Sequence, residues 1–369
     1  MTVLLNKGGR DGFDWPLFVI VAAIALTGVV NLYSATSSMP GPLRDIYIQQ
    51  IYWLSLGAGV AVLVASIDYR YYERYGWVAY GVGVVLLVLV FLLGREVRGS
   101  QRWIPIGSFS LQPSELMKVF FVVALAKHLH DDPRTEGRTL KDLIIPGLIL
   151  ALPLLLVLAQ PDLGTAMIIA AIFATVMVLT HLKLRSFVTL VLVFVVSAPL
   201  TWRYLLKDYQ RERMTAFLDP ENDILGTGWH AHQAKVAIGS GGLLGKGFLQ
   251  GTQNQHRFLP DAHSDFPFSV WAEEQGFVGS ILLLGLYCAL ILWGLKIASE
   301  AKDRFGAVVA VGVSSLIFWQ TIINFGMVCG LLPVVGITLP LFSYGGSSVL
   351  TIMIGIGLLM NVSMRRFHF

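Results

Sequence analysis

The chain has 369 residues, of which 55% are hydrophobic and only 14% are charged, and its mean hydropathy is +0.68. A water-soluble domain of this length needs more charge to cover its surface, so the composition excludes one. The formal net charge of +4 comes from basic residues spread over many short loops, which excludes a nucleic-acid-binding surface as its explanation. Long unbroken apolar runs indicate membrane-spanning helices, whereas a membrane β-barrel would show short alternating segments.

A membrane-spanning helix needs about 20 apolar residues. By that measure the sequence predicts an all-α polytopic membrane protein, with ten spans in a single domain covering residues 1–369. In chain order the spans are expected near 15–34, 46–66, 77–93, 113–129, 142–159, 163–181, 187–206, 277–297, 307–329 and 338–361. Cys288 and Cys329 both lie in these spans, where thiols are expected to pack rather than to form a disulfide.

The orientation follows from the distribution of lysine and arginine, which favours the cytoplasmic side of short loops. With a cytoplasmic N-terminus, fifteen basic residues lie inside and only four lie in the short outside loops, so both termini are predicted to be cytoplasmic. The outside four are Arg44, Arg95, Arg98 and Arg102. The inside fifteen are Lys7, Arg10, Arg70, Arg74, Lys127, Arg134, Arg138, Lys141, Lys183, Arg185, Lys296, Lys302, Arg304, Arg365 and Arg366.

Three polar segments are then expected outside the membrane, at about 94–112, 207–265 and 330–337. The second, between spans seven and eight, is much longer than ordinary connections, and such loops are usually functional or disordered. Its aromatic and aliphatic residues argue against disorder. We expect it to fold back onto the bilayer surface, with a short amphipathic helix around His232–Ile238.

Several acidic residues lie where this long loop meets the membrane. Asp265 stands about ten residues before the apolar run that begins near Phe277, at a depth where a carboxylate can accept a proton from a substrate hydroxyl or hold a divalent cation. The alternative is that Asp265 caps the following helix, with Pro267 in its first turn. Glu273 and Glu274 are expected to pair with loop cations.

A second set of ionisable residues lies in or beside the spans. Glu115 and Lys118 are three residues apart on one predicted helix and can form an ion pair, either as a structural element or beside a substrate. Asp162 could join that cluster, but its position favours capping of the sixth span.

Basic residues on the predicted outer side could neutralise an anionic lipid head group such as a pyrophosphate, or could simply attract phospholipid phosphates. They are Arg102, Arg211, Arg213, Lys235, Lys246 and Arg257. The glycine-rich run 239–247 lacks the Ser or Thr of a phosphate-binding loop and predicts a tight turn with positive φ angles. The four histidines of the long loop match no standard zinc spacing, so no zinc site is predicted.

Eight ordered segments spread over the chain resemble one known family. They are Arg102-Trp103, Gln112-Pro-Ser-Glu115 with Lys118, Gln160-Pro-Asp162-Leu-Gly, Tyr209-Gln-Arg-Glu-Arg213, Phe217-Leu-Asp-Pro220, Gln233-Ala-Lys235-Val-Ala-Ile-Gly-Ser-Gly-Gly, His263-Ser-Asp265-Phe with Ala272-Glu-Glu274, and Leu339-Pro-Leu-Phe-Ser-Tyr-Gly-Gly-Ser-Ser348. The whole chain resembles the SEDS family of bacterial cell-wall polymerases, the RodA and FtsW group.

The resemblance implies an enzyme that joins lipid II units into glycan strands at the outer face of the cytoplasmic membrane and releases undecaprenyl pyrophosphate. It implies that Asp265 is the essential aspartate, with Glu115, Lys118, Asp162 and Glu274 as supporting residues. It also implies a class B penicillin-binding protein as transpeptidase partner, together with elongation-complex membrane proteins. No organic cofactor is expected, and a divalent cation, Mg²⁺ or Mn²⁺, is left open.

Combining both lines, the sequence predicts an inverting transfer with Asp265 as general base and with Arg102, Arg213 and Lys235 binding the pyrophosphate. Ser264 and Pro267 depart from the usual family pattern, and Pro267 puts the pose of Asp265 in question. The segment 327–336 favours the elongation branch, whereas Thr338-Leu-Pro leans toward the division branch. The competing functions are a lipid II flippase and a non-catalytic scaffold for penicillin-binding proteins.

Overall fold

The computed structural model describes residues 12–97, 100–107, 109–132, 137–180, 182–200, 211, 213–215, 217, 227–259 and 261–365. Most of the described chain is helical, as the apolar runs predict. The helices are α1 (Trp15–Thr36), α2 (Ile46–Ser66), α3 (Tyr69–Arg74), α4 (Gly76–Leu93), α5 (Pro113–Asp131), α6 (Ile144–Ala159), α7 (Leu163–Leu179), α8 (Leu184–Leu200), α9 (Thr227–Ser240), α10 (Thr252–Gln255), α11 (Pro267–Ser299), α12 (Arg304–Val328) and α13 (Gly346–Arg365).

Seven helical segments of the described chain are long and apolar enough to cross a membrane. Two shorter apolar helices, Leu163–Leu179 and Leu184–Val193, lie in the sixth and seventh predicted spans. The predicted fourth span corresponds to α5, which carries Glu115, Lys118 and Lys127 and is therefore less apolar. The protein is a multi-pass helical membrane protein, and the number of ten spans stays a prediction.

The centre of the bundle is formed by α12 and α13, whose most apolar windows are 72% and 78% buried. Helix α12 packs against α11, α5 and α7, while α13 packs most extensively against α2. The outer ring, for example α2 and α4, leaves many apolar side chains exposed, as lipid-facing helices do.

One prediction about the last span is wrong. Helix α13 begins at Gly346, eight residues later than expected, and residues 330–345 are irregular yet largely buried, with Leu339 and Leu341 each 1% exposed. We call this stretch the 330–345 segment. Pro340 has no N–H for a helix, and Gly336 and Leu341 have positive φ angles of 73° and 63°. Irregular backbone is tolerated in a membrane protein where protein surrounds it, as it does most of the stretch 337–343. Leu331, by contrast, is 74% exposed, and the outer loop expected at 330–337 stays a prediction.

The first outer segment contains strands that the sequence analysis did not anticipate. β1 (Arg95–Val97), β2 (Ser100–Ile106) and β3 (Phe109–Leu111) form an antiparallel sheet in the order β1-β2-β3. Alternating apolar residues on both sides of Gly107, whose φ is +61°, are the hairpin signal that could have revealed it.

The long loop that we predict to lie outside contains α9, which extends the predicted helix around His232–Ile238 in both directions. The glycine-rich run follows it and turns as predicted, with positive φ at Gly242, Gly245 and Gly247. The two cysteines are free thiols, which agrees with the expectation of no disulfide, but both are exposed rather than packed inside the bundle.

Candidate active site

Asp265 lies in a tight turn just before α11. Asp261 adopts a positive φ of 47°, and its carbonyl accepts hydrogen bonds from the N–H groups of Ser264 and Asp265, each at 3.1 Å. The N-cap of α11 is Phe266 and Pro267 follows at the first helical position, so the alternative that Asp265 caps this helix is wrong. Pro267 fits this geometry because its missing N–H needs no partner there.

Asn324 fixes the main chain of Asp265. This side chain is fully buried near the end of α12, and its Nδ2 donates to the carbonyl of Asp265 at 3.1 Å and to that of Ile337 at 2.7 Å. The amide therefore ties the turn of Asp265 to the 330–345 segment. Sequence reasoning missed Asn324, although a polar amide inside a predicted span is itself a signal for function.

Three charged side chains that the sequence analysis selected meet the same stretch of backbone. Asp265 lies beside Gly336: its Oδ2 is 3.5 Å from the position that a Cβ would occupy on this glycine. Arg213 donates through Nη1 to the carbonyl of Val334 at 3.3 Å. The exposed Lys235 lies beside Gly330: its Nζ is 2.7 Å from the position that a Cβ would occupy on this glycine. One carboxylate and two cations thus line residues 330–336.

The 330–345 segment is held from several helices. Tyr287 donates its hydroxyl to the carbonyl of Pro340 at 2.7 Å, and Gln50 donates to that of Ser343 at 3.1 Å. The N–H of Tyr344 donates to the carbonyl of His263 at 2.9 Å, which joins the segment again to the turn before Asp265. These buried hydrogen bonds make the segment a rigid support rather than a loose loop.

Asp162 does cap α7, as the sequence predicts, and it also organises a polar cluster. Its carboxylate accepts from the N–H of Thr165 at 3.2 Å, from Gln112 at 3.1 Å and from Ser114 at 3.3 Å. Arg102 lies 3.6 Å from it. Gly164 at the start of α7 packs on the 330–345 segment, since a Cβ there would lie 3.2 Å from the carbonyl oxygen of Val335. The cluster therefore adjoins the far side of the same segment.

Arg102 is more engaged with the protein than the sequence suggests. Its guanidinium donates to the carbonyls of Gln160 and Pro161 besides meeting Asp162. Among the other outer basic residues, Lys246 pairs with Glu273, and Arg257 donates through Nε to the carbonyl of Ser38 at 2.9 Å. These contacts favour structural roles for Arg102, Lys246 and Arg257.

The predicted pair in α5 forms. Nζ of Lys118 lies 2.6 Å from Oε1 of Glu115, and both residues are buried, at 1% and 8% exposed. The second oxygen of Glu115, Oε2, is buried without a hydrogen-bond partner in the described chain. A buried carboxylate oxygen of this kind is costly and commonly marks a site for water or substrate.

Glu273 pairs with a loop cation as expected, with 2.6 Å between its Oε1 and the Nζ of Lys246. Glu274 does not, because it accepts from the hydroxyl of Ser34 and from the backbone N–H groups of Leu249 and Gly251. Both acids therefore bind the outer loop to the membrane helices. Within the described residues no group of three or more His, Cys, Asp or Glu side chains could hold a metal ion.

The fold and this site define a class: a polytopic helical membrane protein with a carboxylate and cations around a buried irregular segment at one end of the bundle. The family model for the cell cycle proteins FtsW, RodA and SpoVE matches residues 14–368. The chain belongs to this family.

Individual relatives agree with that assignment. The chain is 40% identical over 353 residues to the peptidoglycan glycosyltransferase MrdB of Escherichia coli K12, covering 96% of this chain and 94% of that protein. It is 31% identical to the peptidoglycan glycosyltransferase RodA of Treponema pallidum, covering 97% and 99%. The crystal structure of RodA from Thermus thermophilus has a TM-score of 0.71 at 32% identity, covering 97% and 98%. A chain of a peptidoglycan synthase complex that coordinates polymerization and crosslinking has a TM-score of 0.82 at 34% identity, covering 97% and 99%.

Proposed function

We propose that this protein is a peptidoglycan glycosyltransferase. It joins lipid II, the undecaprenyl-pyrophosphate-linked disaccharide pentapeptide, into β-1,4 glycan strands and releases undecaprenyl pyrophosphate. Family membership supports the reaction class, as do two relatives that are named peptidoglycan glycosyltransferases and match over nearly their full length. The excess of basic residues at the opposite end of the bundle supports an outward-facing site and cytoplasmic termini.

The observation that carries the mechanism is the convergence of Asp265, Arg213 and Lys235 on residues 330–336. Forming a β-1,4 bond from an α-pyrophosphate inverts the anomeric carbon, so the base and the leaving group lie on opposite sides. Asp265 accepts the proton of the acceptor 4-hydroxyl as that oxygen attacks. The bond from the anomeric carbon to the pyrophosphate oxygen breaks, and the leaving group departs as an anion.

Arg213 and Lys235 stabilise the leaving pyrophosphate. Both contact the segment that Asp265 faces, and a planar guanidinium together with a mobile ammonium suits phosphate oxygens. Arg102 acts from a distance by holding the Asp162 cluster against the far side of the segment.

The partner of this polymerase is a class B penicillin-binding protein that supplies the transpeptidase. The similarity to a chain of a complex that coordinates polymerization and crosslinking supports this pairing. The relatives named MrdB and RodA support a place in the elongation machinery, with other elongation-complex membrane proteins nearby.

The direct test is polymer formation from lipid II by the purified protein in detergent. A polymerase yields glycan strands in micelles, because the reaction needs no second compartment. A lipid II flippase, which the buried Glu115–Lys118 pair would suit, yields transport across vesicles but no polymer in micelles. A scaffold yields neither. Absence of polymer, both alone and with the partner transpeptidase added, contradicts the proposal.

A further inference from the structure

A second site lies at the other end of the bundle, away from Asp265. A groove of about 900 Å³ runs between α1 and α2 and is also lined by α13. Small residues keep it open, among them Ala22, Ala25, Ala58, Ala61 and Gly357. Its rim faces the bilayer, since Phe18, Leu26 and Val62 are each about half exposed or more. The volume is near the upper limit, about 1,000 Å³, of small-molecule sites.

A polar basin of about 560 Å³ adjoins the groove and shares Tyr69, Arg70 and Lys302 with it. Four basic side chains, Arg70, Arg74, Lys127 and Lys302, line the basin, against two carboxylates, Glu73 and Asp303. Together the two cavities form an apolar groove that ends in the basic basin.

The carboxylates near this basin form ion pairs or hydrogen bonds within the protein. Glu73 lies 3.4 Å from Nζ of Lys127 and 3.4 Å from Nε2 of His130. Asp303 accepts from the hydroxyl of Tyr69 and from the N–H of Gly306 at 2.8 Å. Asp68, at the groove end, pairs with Arg365 at 2.8 Å. Basic side chains outnumber carboxylates around the junction, so the exposed side chains of Arg70 and Lys302 lie in a positive potential.

Tyr69 adds a hydrogen-bonding group at the same junction. Burial, and then its hydrogen bond to Asp303, raise the pKa of its hydroxyl to about 12. The hydroxyl of Tyr69 therefore stays a neutral hydrogen-bond donor at physiological pH and adds no negative charge to the junction.

We propose that this site binds an anionic phospholipid of the cytoplasmic leaflet. An acyl chain occupies the groove between α1 and α2, and the phosphate of the head group lies at Arg70 and Lys302. We choose this ligand by charge complementarity. A basic basin next to an apolar groove at the predicted cytoplasmic end favours a net negative head group over a zwitterionic one. Phosphatidylglycerol and cardiolipin share this chemistry.

Native mass spectrometry of the purified, delipidated protein tests the site, with phosphatidylglycerol, cardiolipin and phosphatidylcholine added separately. We expect the wild type to retain either anionic lipid at least tenfold better than phosphatidylcholine. The double variant Arg70→Gln/Lys302→Gln should lose that preference. The control Lys183→Gln/Arg185→Gln removes two exposed basic residues from the same predicted membrane face and should keep it. Equal retention of phosphatidylcholine by the wild type, or unchanged preference in the double variant, overturns the proposal.

A second variant covers the case in which the double variant fails to fold. Ala58→Phe fills the groove and leaves every basic residue in place, so we expect anionic lipid retention to fall at least tenfold. Leu56→Phe lies on the same helix outside the groove lining and should retain lipid like the wild type. Retention that is unaffected by Ala58→Phe contradicts an acyl chain in the groove.

Discussion

At the scale of single residues, hydrogen bonds to its main chain hold Asp265 in place. Its N–H is bound to the carbonyl of Asp261, and its own carbonyl is bound by buried Asn324, which also holds Ile337. A general base works only within hydrogen-bond reach of the hydroxyl that it deprotonates, so a small shift of this turn is costly. We therefore propose that Asn324 is a positioning residue for Asp265, the proposed base.

Asn324→Leu should lower the rate of polymerisation by about 100-fold, the cost of misplacing a reacting group by about 1 Å. Two buried carbonyls lose their donor, which should also destabilise the protein by about 1–3 kcal/mol. The measurement is kcat for lipid II polymerisation by the folded fraction, together with the melting temperature.

The matched control is Asn361→Leu. Asn361 is equally buried and donates to the carbonyls of Val64 and Ala65, at 2.8 and 3.1 Å, but it lies at the opposite end of the bundle. It should lose similar stability and keep its activity per folded molecule. Equal activity losses in the two variants would show that the effect of Asn324 is only structural.

The Glu115–Lys118 pair belongs to the same scale. Removing one partner leaves a buried charge, so Glu115→Leu or Lys118→Met alone should destabilise the protein by about 3–5 kcal/mol. The double variant removes both charges and should regain most of the wild-type melting temperature. If the pair also serves the reaction, the double variant stays inactive while folded. A folded double variant with wild-type polymerisation would assign the pair a structural role alone.

At the scale of elements, the glycine-rich turn has a definite task at a break in α11. Gly276 has a φ of 67° and interrupts the helix. The N–H groups of Lys246 and Gly247 donate to the carbonyls of Glu273 and Glu274, each at 3.0 Å, and the N–H of Phe277 donates to Gly242 at 2.9 Å. The turn supplies the hydrogen bonds that the broken helix lacks. The sequence predicts the turn itself, but its partner is set by tertiary contact.

Three alanine substitutions should separate the effect of backbone conformation from that of steric contact with α11. At Gly239 nothing lies near an added Cβ and φ is not in the left-handed region, so Gly239→Ala should be neutral or slightly stabilising. Gly242 has open space but a φ of +56°, and its substitution should cost about 1–2 kcal/mol. Gly245 has a φ of +81°, and its Cβ would overlap the carbonyl of Glu274, so Gly245→Ala should cost the most. Melting temperatures in detergent measure the series, and equal values for all three would contradict the close docking.

At the scale of the whole molecule, the sequence predicts most helices because each must bury its backbone polar groups and present an apolar surface to lipid. The sequence also predicts the helix cap at Asp162 and the ion pair of Glu115 with Lys118, because residue spacing along the chain decides both. The buried 330–345 segment was not, since it reads as a loop followed by part of a span. Asn324 was missed for the same reason: its partners, Asp265 and Ile337, are set by the tertiary fold and by no local pattern.

The proposed mechanism depends on one general base, Asp265, at the predicted outer end of the membrane bundle. The most direct measurement is the initial rate of glycan synthesis from purified lipid II by Asp265→Asn, with membrane insertion and melting temperature matched to the wild type. Asparagine keeps the shape but cannot take the proton, so the rate should fall by about 10²–10⁴-fold. Polymerisation within a few-fold of the wild type would contradict the central claim.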